Sequence, residues 1–404
     1  MTPEGAASTP ARPPRAPRPR RPGPDQRSAP SACGRNPLVK KIFGTVAAAG
    51  ALALVAACGQ APTTSTGGGS SAATASASGS GSSVKGCIVS DGGGFKDQSF
   101  NQAGLEGLEK AKSEDGIQIA SVESKSDADY APNIQSLVTQ NCNLVIASGF
   151  LLADALGQAA DANKDIQFAI VDSTVDPARD NVKPLLFDTA QAAYLAGYVA
   201  AGMSKTGTVA TYGGIQIPSV TIFMDGFSDG VAKYNQDKGK SVKVLGWDKN
   251  AQTGSFTGDF TDATKGRNTT QNFIDQGADI ILPVAGPVGA GTLAAAKAAN
   301  GGGKDVKVIW VDSDGYNTQP DYRNIILTTV VKQIGTAVQA AVKSEVDGSF
   351  SSQPYVGTLQ NGGVALAPYH DLDSQVPQEL KDEVTKLQEQ ISSGAIKVES
   401  KSTP

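Results

Sequence analysis

Two apolar runs in this chain end in a carboxylate that could hold a hydroxylated molecule. Asp91 follows Cys87-Ile-Val-Ser90 and precedes Gly92-Gly-Gly94, after which come Phe95, Phe100 and Asn101. Asp312 closes Val308-Ile-Trp310-Val311, with Asp314 two residues beyond it. A carboxylate accepts two hydroxyl hydrogen bonds side by side, and glycines beside it let the backbone approach a ligand. Phenylalanines add flat faces on which a planar ring can stack, for roughly 1–3 kcal/mol per base. Ala285-Gly286-Pro-Val-Gly289 supplies a further glycine turn, but it lacks the Gly-Lys-Ser/Thr ending of a phosphate loop. The one histidine, His370, lies outside these runs. Metal ligation and histidine-dependent catalysis are therefore not expected, and neither is a cofactor. This chemistry suits holding a molecule rather than breaking one.

Such groups work only if a scaffold brings them to one edge. Apolar runs alternate with helical patterns, the signature of parallel sheets. Strands are expected over 86–90, 117–122, 144–147, 167–172 and 182–187, with helices near 101–113, 130–141, 152–163 and 189–204. The pattern restarts at Gly207, with strands over 208–212, 242–246, 280–284 and 307–312 and helices over 218–238, 265–276 and 289–300. A strand over 325–330 then feeds a helix over 332–346, and an amphipathic helix over 377–393 ends the series. Two doubly wound lobes in an α/β fold account for this most simply, and such sheets hold ligands at the carboxyl ends of their strands. With strand order 2-1-3, Cys87 and Cys142 stand at the amino ends of parallel neighbours. A structural disulfide away from the cleft is expected there, two buried thiols being the alternative.

The 404 residues suffice for two cores, and a net charge of -4 offers no face for nucleic acid. Residues 1–37 are rich in Pro and Arg and are expected to be disordered. Because the next methionine after Met1 is Met203, a start near Leu38 or Val39 would need a non-AUG codon; that start is one hypothesis for so odd a leader. Lys40-Lys41, the apolar run 42–57 and Val55-Ala-Ala-Cys58 read as an export signal over 38–57 ending in a lipobox. Cys58 would then carry lipid, and the Gly/Ser/Thr tract of 58–83 would tether the body to a membrane.

The run Asp91-x-Gly-Gly-Phe95-x-Asp-x-Ser-Phe100-Asn-Gln resembles the signature of the basic membrane protein (Bmp, PnrA-like) family, substrate-binding lipoproteins of ABC importers. The resemblance extends from about residue 84 to the end, although Lys96 replaces the usual Asn. It implies a type I periplasmic-binding fold with lobes 84–188 and 189–314. Residues 315–404 would complete both lobes, and the crossings would fall near 188–190, 314–324 and 355–370. The resemblance further implies purine nucleoside as ligand, permease and ATPase subunits as partners, a location outside the cytoplasm and a monomeric state. On it, Phe95 or Phe100 and a second-lobe aromatic would sandwich the base. That aromatic is Phe260 by its spacing to Asp262 and Gly266, or Phe256 by its Gly-Ser-Phe context; Phe260 is favoured. Asn101 and the Asp154 of Gly149-Phe-x-x-x-Asp would meet the base edge. Asp312, then Asp314, with Lys332 and Gly286, would hold the ribose, and Asp91 would line the site. Another small ligand, such as a sugar or signalling molecule, is the alternative, and a nucleoside hydrolase a more distant one.

Overall fold

The computed structural model describes residues 83–404. The export signal, Cys58 and the tether expected from sequence lie outside them. The first sheet is built from β1 (Lys85–Val89), β2 (Gln118–Val122), β3 (Leu144–Ser148), β4 (Gln167–Val171) and β5 (Val182–Phe187). The second contains β6 (Thr208–Gly213), β7 (Lys243–Leu245), β10 (Ile280–Val284), β11 (Lys307–Asp312) and β12 (Ile326–Lys332). Between β7 and β10, β8 (Trp247–Asp248) and β9 (Thr253–Gly254) form a small hairpin. The short strands β13 (Tyr355–Gly357) and β14 (Val364–Leu366) complete one sheet each. The orders are β13-β5-β4-β3-β1-β2 and β14-β12-β11-β10-β6-β7, the same sequence of positions twice over. All pairings within the two sheets are parallel except β12 with β14.

Helices cover both faces of each sheet, as buried parallel strands require. In the first lobe these are α1 (Phe100–Asp115), α2 (Tyr130–Thr139) and α3 (Ala153–Ala162). In the second they are α4 (Thr189–Met203), α5 (Pro218–Lys238), α6 (Ala263–Asp275), α7 (Gly289–Gly301) and the single turn α8 (Gly315–Thr318). α9 (Ile334–Val346) returns to pack on α1, and α10 (Gln378–Ser392) packs on α4. α4 and α5 press together through glycine: a Cβ at Gly230 would stand 1.9 Å from the Tyr194 carbonyl oxygen.

The middle crossing differs from expectation. β12 pairs with β11 and stays in the second sheet, so the chain leaves that lobe only after Lys332, not near 314–324. For the same reason Lys332 ends a strand instead of starting a helix. Its neighbour in the antiparallel pair is Val364, a partner too distant for local periodicity to reveal. The crossings therefore fall at Asp188, at Gln333 and between β13 and β14. Cys87 and Cys142 form a disulfide with Cα atoms 6.0 Å apart.

Candidate functional site

The cleft between the lobes has about 570 Å³ of empty space, its open mouth included. Strand ends and the turns that follow them line it, as the parallel topology dictates. From the first lobe come Asp91, Asp97, Phe100, Asn101 and Asp172. From the second come Phe260, Gly286, Asp312 and Lys332. Phe150 stands at the rim, 38 % exposed, the one large apolar side chain among the described residues with that much exposure.

The deepest part is ionic. Lys332, its side chain 3 % exposed, hydrogen-bonds Asp172 across the cleft and meets Asp312 Oδ1 at 2.9 Å. Its ammonium also lies 4.7 Å from the centre of the Phe100 ring. Burial alone would lower the Lys332 pKa; the two carboxylates overcome this and raise it. Burial pushes Asp172 upward against the pull of Lys332. Ser99 Oγ donates to Asp312 Oδ2 at 3.0 Å, and Ser313 Oγ donates to the Ser99 carbonyl at 3.0 Å, so further bonds tie the lobes together. Asp172 and Asp312 both have left-handed backbones, with φ of 59° and 68°. Such strain persists where surrounding contacts over-determine a functional geometry.

The first glycine turn is organised by carboxylates rather than by a capping serine. Asp97 accepts from the backbone N–H groups of Ser99, Asn101 and Gln102 and so caps α1. Asn101 Nδ2 bridges Asp97 Oδ2 at 3.1 Å and Asp91 Oδ1 at 2.8 Å. Burial raises Asp91 despite hydrogen bonds from the Gly93 N–H and the Asn101 amide, with Asp312 adding repulsion. Burial likewise pushes Asp97 to about 6, against its hydrogen bonds. A carboxyl raised in the folded state binds a proton that the unfolded chain has released. Its contribution to stability therefore falls as pH rises from 3.8 towards 6. By this linkage urea midpoints of the wild type should decline across that window more steeply than those of Asp97→Asn. Parallel curves would remove Asp97 as the cause.

Phe260 reaches the cleft because of glycine. A Cβ at Gly214 would stand 2.3 Å from Phe260 Cε1, and one at Gly213 would stand 2.6 Å from Phe256 Cδ1. Thr257 N–H donates to the Gly213 carbonyl and Gly258 N–H to that of Gly214, holding the inserted segment against the end of β6. Phe256 packs edge-on against Trp247 instead, with centroids 6.0 Å apart, and is not in the cleft lining.

Three residues expected in the site lie elsewhere. Phe95 is 8 % exposed within the apolar core, and its N–H donates to Glu123 Oε1. Asp154 is exposed in the first turn of α3, where the helix dipole favours a carboxylate. Asp314 caps α8 through Tyr316 N–H, meets His370 Nε2 at 2.8 Å and is not in the cleft lining. Asp172 is the residue that sequence reasoning passed over. Its signal is the one that marked Asp312: an apolar strand, Phe168-Ala-Ile-Val171, running straight into Asp. The two occupy equivalent places, since β4 and β11 hold the same position in their sheets.

Among the described residues no group of His, Cys, Asp and Glu is arranged to hold a metal, and no helix is long and apolar enough to cross a membrane. A family model described as "ABC transporter substrate-binding protein PnrA-like" matches residues 85–402. The chain is 32% identical over 334 residues to the ABC transporter nucleoside-binding protein BmpA of Lactococcus lactis, covering 79% of this chain and 90% of that one. It is also 32% identical over 296 residues to an uncharacterized lipoprotein of Pyrococcus abyssi, covering 72% of this chain and 70% of that one. Among solved structures, an ABC transporter solute-binding protein from Aeropyrum pernix superposes with a TM-score of 0.70 at 24% identity, covering 80% of this chain and 94% of that one. That likeness concerns the fold, which is of the type I periplasmic-binding class.

Proposed function

This chain belongs to the Bmp family of PnrA-like ABC transporter substrate-binding proteins, and from that premise we propose that its ligand is a purine nucleoside. The observation that carries this reading is that Phe100 and Phe260, from opposite lobes, line one cleft with the Asp172–Lys332–Asp312 cluster. The base stacks on the phenylalanines, with its edge towards Asp91 and Asn101. The ribose hydroxyls take Asp312, Lys332 and Asp172, near the turn at Gly286. The nucleoside-binding name of the Lactococcus relative supports this reading.

Four carboxylates, Asp91, Asp97, Asp172 and Asp312, line this cleft with one buried lysine, so a phosphate would enter a field of its own sign. Capture proceeds by closure of the lobes about the three crossings. The protein acts as a monomer tethered outside the cytoplasm through lipid on Cys58, passing its ligand to permease and ATPase subunits. It binds without transforming its ligand.

Calorimetric titration with adenosine, guanosine, inosine, cytidine, ribose and free purine bases tests the assignment. Purine nucleosides should bind at least about tenfold more tightly than ribose or the free bases, since each alternative forfeits either stacking or hydroxyl contacts. Ribose binding as tightly as inosine would favour a sugar-binding role and overturn the nucleoside reading.

A further inference from the structure

We propose that the cleft continues past Asp172 into a second compartment that accepts an uncharged substituent on the 5′ carbon of the bound nucleoside. The inference rests on the nucleoside reading. The compartment also has about 570 Å³ of empty space, its open mouth included. Phe150, Asp172 and Ser219 line both spaces, so the two are neighbours with these side chains as their common wall. Beyond them the walls are Leu186 and Phe187 at the end of β5, Thr189 at the first crossing, and Ile222 of α5.

Thr189 carries the argument furthest. It is 1 % exposed and lines the compartment, yet its Oγ1 has no hydrogen-bond partner. Buried hydroxyls are nearly always satisfied; this oxygen is itself covered, so a turn of the Thr189 side chain is what would present it to the compartment. Asp172 is the only ionisable side chain in the lining, and Lys332 already balances it. A phosphate entering here would meet no cation of the lining. Apolar Leu186, Phe187 and Ile222, interleaved with the uncharged hydroxyl residues Ser173, Thr174, Thr189, Ser219 and Ser402, suit a short thioether, alkyl or hydroxyl group.

The chemistry of the sugar selects the position. A vicinal pair of ribose hydroxyls uses C2′ and C3′ for Asp312 and Lys332, and C1′ bears the base. Only C5′ is left to carry a group away from the ring, and Asp172, beside Lys332, stands at the threshold.

The test titrates the full chain with adenosine and inosine, their 5′-deoxy-5′-methylthio derivatives and their 5′-monophosphates. Each derivative of a parent that binds should stay within about tenfold of that parent, and each monophosphate should bind more than about tenfold more weakly than the derivative. Thr174 is exposed and lines the compartment, so Thr174→Trp fills space without disturbing a core. That variant should weaken the derivatives at least about tenfold and the parents less than about threefold, and Leu186→Phe at the end of β5 should give the same split. A derivative more than about tenfold weaker than its bound parent overturns the inference, as do equal losses or no loss in Thr174→Trp, or monophosphates that match the derivatives. If neither parent binds, the nucleoside reading itself fails, and the inference falls with it.

Discussion

Asp312→Ala is expected to abolish nucleoside binding, lowering affinity by about 100-fold or more, while the protein still unfolds cooperatively. Hydrogen bonds to a charged group contribute about 1.5–3 kcal/mol each, and a bidentate carboxylate makes two of them to vicinal hydroxyls. Losing both gives the stated factor at about 1.4 kcal/mol per tenfold. The fold should survive because Lys332 keeps Asp172 as a partner and is not left as a lone buried cation. The left-handed backbone at Asp312 calls for a companion variant, since alanine adopts that conformation less readily than asparagine. Asp312→Asn tolerates it and retains a neutral acceptor, so its loss should be smaller, about tenfold. Calorimetry on both variants, beside their denaturation curves, separates affinity from folding. Undiminished affinity in the alanine variant would remove Asp312 from the ribose.

Lys332→Met is expected to have the largest effect on stability. It leaves Asp172 and Asp312 buried together with no cation between them. Removing one partner of a buried ion pair costs about 3–5 kcal/mol, because the orphaned charge has lost its solvent and its counter-charge. Losing the lysine would then push Asp172 further upward. A raised carboxyl favours the folded state while protonated, so the damage should be smaller near pH 5 than near pH 8 (approximate values). In the wild type the raised Lys332 contributes fully below the ordinary lysine value of 10.5, so its own titration does not confuse the comparison. Urea denaturation at the two pH values tests this. A deficit independent of pH would point to lost packing instead.

Lysine and carboxylate were legible in the sequence to different degrees, and the reasons are physical. Strand-to-carboxylate runs are local, so Asp91 and Asp312 could be read directly. Asp172 carried the same signal but lacked a glycine turn to draw attention to it. The end of β12 could not be read, because its antiparallel partner β14 lies more than thirty residues away. Phe260 depends on spacing along the insertion, whereas its seat is made by Gly214, in a different segment. Phe95 could not be separated from Phe100 by type: one joins the core and the other the cleft, and burial decides between them. Asp154 fits its helix turn for reasons of dipole alone, which the motif could not distinguish from contact with a base.

The shared sheet order also dictates when the molecule can finish folding. The first lobe takes its edge strand from residues 355–357 and one covering helix from 334–346, although its other strands end at residue 187. A chain emerging from its amino end must therefore expose an incomplete sheet edge until almost the whole length has appeared. Loop closure over so long a span is slow. Severing the chain anywhere between the sheets should yield no self-sufficient half, and assembly of both lobes is obliged to be a late, joint event.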